Sequence, residues 1–192
     1  AFGRHEAPVM RVPRGLDEGE AALLFQGVLS NKRSQPMIVD WFVVLFKGEE
    51  ARGTESLTDF AERTGLTGAL PNPGREIPGA WLQGLREPAV ELAKEHMATL
   101  RAERRRAVRK PLAISERKVK AWRKSALDRV SEIEGRQIKT LGERRARKAA
   151  DRRRQEIEDR FQRRQKWIVE GLSTSDVPYL RLAAVFVTTD AS

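Results

Sequence analysis

The chain predicts an α+β fold: a small antiparallel sheet as a base, and a long, charged, mainly α helical hairpin as an arm. Three observations predict it. Residues 36–46, PMIVDWFVVLF, are rich in β-branched and aromatic side chains, which suit a pleated, half-buried surface. Residues 81–168 step their apolar side chains by three and four through an otherwise charged sequence, as helices with narrow apolar seams do. Residues 179–189, YLRLAAVFVTT, return to strand-like composition. A lone strand is not stable in water, so this one is expected to join two N-terminal strands. That divides the chain into a base of residues 1–80 plus 169–192 and an arm of residues 81–168.

Taken in order, residues 1–20 carry two Pro and three Gly without periodicity and read as an irregular lead-in. ALLFQGVLS (22–30) and the run at 36–46 form a β-hairpin across the polar link NKRSQ, which lacks the usual Gly. Lys47-Gly48-Glu49-Glu50 ends the second strand. SLTDFAERTGL (56–66) reads as a short helix capped by Ser56 or Thr58 and stopped by Gly65. Residues 67–80, with three Pro and three Gly, read as a loop.

Within the arm, Leu85, Ala89, Leu92, His96 and Leu100 share one helix face. Val119, Trp122, Ala126, Val130, Ile133, Gln137 and Leu141 form a second stripe, continued sparsely by Ile157, Phe161 and Ile168. No strict heptad persists, which favours pairing within the chain over a long two-chain coiled coil. The reversal falls either at Pro111, which interrupts a helix, or near Gly142. Sequence leaves both open, and it leaves the oligomeric state open too.

The charge is unevenly spread. The chain has a net charge of +10, yet residues 101–166 hold 25 Lys and Arg against 10 Asp and Glu, so the arm carries +15 and the remainder −5. Such a field favours polyanions. Arginine presents a planar fork that matches phosphate oxygens. The candidate nucleic-acid contacts are therefore the clustered cations Arg104, Arg105, Arg106, Arg144, Arg145, Lys148, Arg152, Arg153, Arg163 and Arg164. The plain alternative is a solvated helix with internal ion pairs, for which Glu143–Arg147 and Glu156–Arg160 have the right i, i+4 spacing. Trp41 is expected in the core, and Trp122 packs on the apolar stripe. Trp81 and Trp167 sit on or near the arm, where base stacking is the rarer role for such residues.

Several function classes are excluded or disfavoured. There is no Cys, hence no disulfide or thiolate metal site. The two histidines, His5 and His96, are far apart in sequence, and no metal or cofactor is expected. GxxxxGK[ST], GxGxxG, HExxH and GxSxG are all absent, so the chain is expected to be non-catalytic. Asp40, which interrupts an apolar strand, reads as a solvent-facing charge. No apolar run approaches the ~18–20 residues of a membrane span and no signal peptide is evident, so a cytoplasmic location is expected. The chain opens at Ala1-Phe2-Gly3 without an initiating Met and reads as a piece of a longer polypeptide.

One segment carries a resemblance. FQGVLSNKRSQPMIVDWFVVLF (25–46), a short helix ending TGL (64–66), a long Arg/Glu-rich helical stretch and a closing PYLRLAAVFV (178–187) resemble the region beyond the motor in bacterial Snf-type superfamily-two helicases. These are the RapA-like ATPases, including those of phage-defence islands such as DISARM. The likeness covers most of the chain by layout and about twenty residues by motif. It implies a C-terminal accessory domain of an ATP-driven DNA translocase, one that itself neither binds nor hydrolyses ATP. The expected partners are nucleic acid, DNA rather than RNA, and the parent ATPase domains or another protein, with no membrane. The competing expectation is a protein-interaction or regulatory coiled-coil module that binds the parent motor or an acidic partner.

Overall fold

A computed structural model describes residues 7–66, 68 and 79–188. Most of the loop expected over 67–80 lies outside these residues, as do His5, Glu6 and Thr189. The α+β class holds. The elements are β1 (Val9–Val12), β2 (Glu20–Ser30), β3 (Pro36–Lys47), β4 (Glu50–Ser56), α1 (Leu57–Thr64), α2 (Gly79–Gly84), α3 (Arg86–Leu141), α4 (Glu143–Leu172) and β5 (Tyr179–Thr188). They divide into two compact units: a base of 1–30, 34–102 and 175–192, and a second unit of 31–33 and 103–174.

The base holds one five-stranded sheet in the order β1-β5-β2-β3-β4. Its centre is the expected arrangement, with β2 antiparallel to both β3 and β5. Two edge strands enlarge it beyond the three expected. β4 pairs antiparallel with β3. β1 pairs parallel with β5, which makes the sheet mixed and places a strand inside the lead-in. In the link after β2, Ser34 takes the left-handed conformation, φ 61°, usually left to glycine.

Both faces of the sheet are covered, because the central strands are apolar on both sides. On one face Leu23, Phe25, Phe42, Val44 and Phe46 are buried with Leu85, Ala89, Ala93 and Met97. These last four recur at every fourth position, one face of a helix. On the other face Ala22, Leu24, Val43 and Phe186 are buried with Phe60 of α1. Ser56 caps α1 by accepting from the Asp59 amide at 3.1 Å, and Gly65 ends it at φ 69°. The boundary therefore lies at 102/103 rather than at 80/81: residues 85–97 seal the sheet core and cannot be lent to an arm.

Gly27 marks the tightest approach in the base. A Cβ built there would overlap the Met97 sulfur and stand 3.0 Å from its methyl. The glycine of the FQG sequence is thus a packing requirement, because only a residue without a side chain lets the Met97 thioether lie on the strand.

Asp40 and Trp41 reverse their expected environments. The Asp40 carboxylate does not simply face water: its Oδ2 lies 2.7 Å from His96 Nε2. The His96 ring packs on Phe42, 4.1 Å between centroids. Trp41 is 39% exposed, beside Val39 at 53%. The alternation of β3 puts Asp40 on the helix-covered side and Trp41 on the side where α1 covers only the Phe60 end.

The second unit is an antiparallel helix pair. Glu134 meets Arg154, Arg123 meets Glu158, and Glu116 and Val119 line a cavity with Phe161 and Ile168. Partners on α4 thus rise in number as those on α3 fall. The reversal is at Gly142, whose φ 79° and ψ 151° lie in a region essentially restricted to glycine. Pro111 does not break α3, which runs through it. The proline is exposed, so water can serve the carbonyl its ring leaves unbonded.

The seam repeats every eleven residues rather than every seven. Val108, Val119 and Val130 recur on α3; Ala146, Ile157 and Ile168 recur on α4, with Ala150, Phe161 and Leu172 beside them. All of these are buried or half-buried. Eleven residues per three turns is close to the natural α-helical period, so the stripe scarcely drifts around either helix. Side-chain size along α4 rises away from the reversal, from Ala146 and Ala150 to Ile157 and Phe161, as a one-residue turn demands of helices that start close together.

Two outcomes are expected. Gly27→Ala overpacks the base and lowers stability by about 1–3 kcal/mol. Urea unfolding of a cycle with Met97→Ala checks it: the pair should be non-additive by more than about 0.5 kcal/mol, because the truncated methionine makes room for the methyl. Gly142→Ala strains the reversal by about 1–3 kcal/mol. Amide hydrogen exchange should report faster opening in α4 with β2 and β3 unchanged.

Candidate nucleic-acid interface

The chemistry of the helix pair follows from where its charges go. Over residues 101–166 three acids, Glu116, Glu134 and Glu158, are half-buried, while Glu103, Asp128, Glu132, Glu143, Asp151, Glu156 and Asp159 are exposed. Arg154 donates to Glu134 across the pair and to Asp151 at 3.0 Å on its own helix. Those bonds, the one to Glu134 first, hold its guanidinium charged beyond the ordinary arginine range. Arg123 donates to Glu158 at 2.7 Å and lies 4.9 Å over the Phe161 ring. Glu134 and Glu158 are half-buried, so these two pairs join the helices.

Nine of the ten candidate cations are exposed. Among the described residues, none of the ten candidate contacts makes an ion pair; in this unit such pairs engage Arg33, Arg123, Arg147, Arg154 and Lys166 instead. Of the two i, i+4 pairs expected to neutralise the helix, Glu143–Arg147 forms, while Glu156–Arg160 is not among the ion pairs of the described residues.

On α4, Arg145, Lys148, Arg152 and Arg163 recur at i, i+3, i+7 and i+18 and are exposed, which places them opposite the seam with Arg144 beside them. Arg153 and Arg164 stand on a flank of the same helix, eleven residues apart. Arg105 and Arg106 are exposed on α3. Arg104 departs from expectation: it is half-buried, and its Nε has no hydrogen-bond partner among the described residues. It is packed where a solvent-facing contact was expected.

The candidates do not converge on one patch. Arg105 stands 36 residues from Leu141 on α3, roughly 50 Å at ~1.5 Å per residue. They form a ladder of positive charge along the pair. Neighbouring rungs a turn apart lie well within the ~8 Å screening length of physiological salt, so they repel one another until an anion arrives.

A feature that sequence reasoning did not assemble lies on the flank. Trp122 of α3 and Arg160, Arg163, Arg164 and Trp167 of α4 line a groove of about 630 Å³. Trp167 is 61% exposed, and the Arg33 guanidinium sits 4.9 Å from its ring centre. Arg33 is anchored beside it, 3.8 Å from Glu170. The backbone amide of Arg33 donates to Asn31 Oδ1 at 2.8 Å, and Asn31 Nδ2 donates to the Gly171 carbonyl at 3.2 Å. The spacing Arg153, Arg160, Arg164, Trp167 (i, i+7, i+11, i+14) is the sequence signal for this flank, but only the antiparallel register brings Trp122 to it. Trp81 is elsewhere, in the base, where its Nε1 donates to the Gly48 carbonyl at 3.2 Å.

No three His, Cys, Asp or Glu side chains gather in metal-binding geometry among the described residues. No helix among them is long and apolar enough to cross a membrane. Comparison of the chain with family models, with curated proteins and with solved structures finds no match.

Proposed function

We propose that this chain is a non-catalytic accessory module that contacts nucleic acid, DNA in the first instance, through the basic helix pair α3–α4. The observation that carries the reading is the imbalance of charge: over residues 101–166 cations outnumber acids by 25 to 10, and none of the ten clustered cations makes an ion pair among the described residues. Unpaired like charges on one helix face destabilise it, and phosphate relieves that repulsion while releasing condensed counterions. Attachment to a helicase- or translocase-like ATPase rests on the likeness of residues 25–46 to the Snf-type family.

A second reading has its own observation. Val39, Trp41 and, at 63% exposure, Tyr179 leave an apolar patch on the sheet, with Val28 paired to both Val39 and Tyr179. Such a patch suits docking onto a parent motor or another protein. The two readings assign different surfaces, so substitutions separate them.

In fluorescence anisotropy across a salt series, the chain should bind duplex DNA with log K falling linearly against log salt. Arg145→Gln, Lys148→Gln and Arg152→Gln together should make that slope shallower by up to about 0.9 per lost phosphate contact. Absence of binding at low salt overturns the reading in favour of the docking module. Affinity should also grow with duplex length and level off near 15 base pairs, the roughly 50 Å of the ladder divided by ~3.4 Å per step.

A further inference from the structure

The groove between Trp122 and Trp167 has a different chemistry from the outer ladder. The ladder offers charge alone, whereas the groove, which shares Arg163 and Arg164 with it, joins two indoles to three guanidiniums and has no carboxylate among its lining residues. We propose that it takes an unpaired nucleobase together with its phosphate, so that the module recognises a single-stranded end or gap next to the duplex held by the ladder. This rests on the nucleic-acid reading above and gives the groove its own substrate class.

Three observations carry it. First, Trp167, at 61%, is the most exposed large apolar side chain among the described residues of the helix pair, ahead of Ile114 at 52%. A large flat ring left in water is a stacking platform waiting for a partner, and any base has a face to offer. Second, the ring is held. Arg33 lies against it at 4.9 Å and is itself tied to Glu170 and, through its own backbone, to Asn31. Arg33 is not among the groove's lining residues, so the groove meets the ring away from the guanidinium. Third, Arg160, Arg163 and Arg164 make no ion pair among the described residues, and an arginine fork beside an indole fits a phosphate next to a stacked base. The volume of about 630 Å³ lies in the range of small-ligand sites and admits a nucleotide but not a duplex. Paired bases hide their faces, so the occupant must be unpaired. An acidic peptide meets the guanidiniums but leaves the indoles without a π partner.

The test uses the full chain with three labelled probes at one salt concentration: a fifteen-nucleotide oligo-dT, a blunt fifteen-base-pair duplex, and the same duplex with a five-nucleotide overhang. Trp167→Ala should weaken oligo-dT and overhang binding by about tenfold, the scale of one lost base stack, and leave the blunt duplex within twofold. Trp167→Phe should restore most of the loss, a rescue that a purely structural role does not give, with far-UV circular dichroism confirming equal helicity. Equal effects on all three probes, or none on any, overturn the inference while leaving the ladder intact. So does displacement of oligo-dT by a fifteen-residue poly-glutamate as readily as by unlabelled oligo-dT, because the groove then reads charge alone. If the unaltered chain binds none of the probes at low salt, the nucleic-acid reading itself falls, and this inference with it.

Discussion

The structure depends on the contact between Gly27 and Met97. It lets one row of small and apolar side chains, Leu85, Ala89, Ala93 and Met97, lie on the sheet. Burying side chains of that size from water is worth about 1.5–3 kcal/mol each for the larger ones, and here that burial fixes the first turns of a helix far longer than any isolated helix needs to be. The same α3 then changes character. Beyond residue 102 its apolar positions stop serving the sheet and follow the eleven-residue seam with α4. One continuous helix thus supplies two cores of different kinds, one wide and aromatic, the other narrow and aliphatic.

The narrowness of the second core explains the charge pattern. A seam of Val, Ala, Ile and a single Phe stabilises two long helices only modestly, so cross-helix pairs such as Arg123–Glu158 and Arg154–Glu134 add register. Half-buried acids with fixed partners cannot also serve the outer cations. Glu134 and Glu158 are thereby committed to the pairing of the helices, and removing either weakens that pairing.

Much of this was legible in the sequence, for physical reasons that differ by element. β2, β3 and β5 announce themselves because central strands are apolar on both faces. β4, with the sequence EARGTES, does not, because an edge strand exposed along most of its length needs no hydrophobic signature. β1 is four residues, VMRV, among Pro and Gly, too short for any period to register. Pro111 reads as a break because a proline ring removes one helical hydrogen bond and crowds the preceding turn. The strong helix formers around it and its exposed position let α3 continue. Gly142 stands where a reversal was thought possible, though the choice needed its ψ as well as its φ. The ten cations were visible as runs. That Arg104 turns inward, and that Trp122 lines one groove with Trp167, depends on the register of two helices, which no local pattern encodes. Trp41 departs from the ordinarily interior place of an aromatic in a strand, because α1 is too short to cover it.

The eleven-residue seam has a consequence for how such a chain can change size. Because the repeat closes after three helical turns, adding or deleting one unit of eleven in each helix returns every seam residue to its face and every outer arginine to its own. The reach of the pair can lengthen or shorten in steps of roughly 16 Å while Gly142 and the sheet stay as they are. An increment far from a whole number of turns rotates the cations out of line. The span of the charged edge in this chain is therefore tied to whole turns, and its measure is set by the pitch of the α-helix rather than by the length of what it holds.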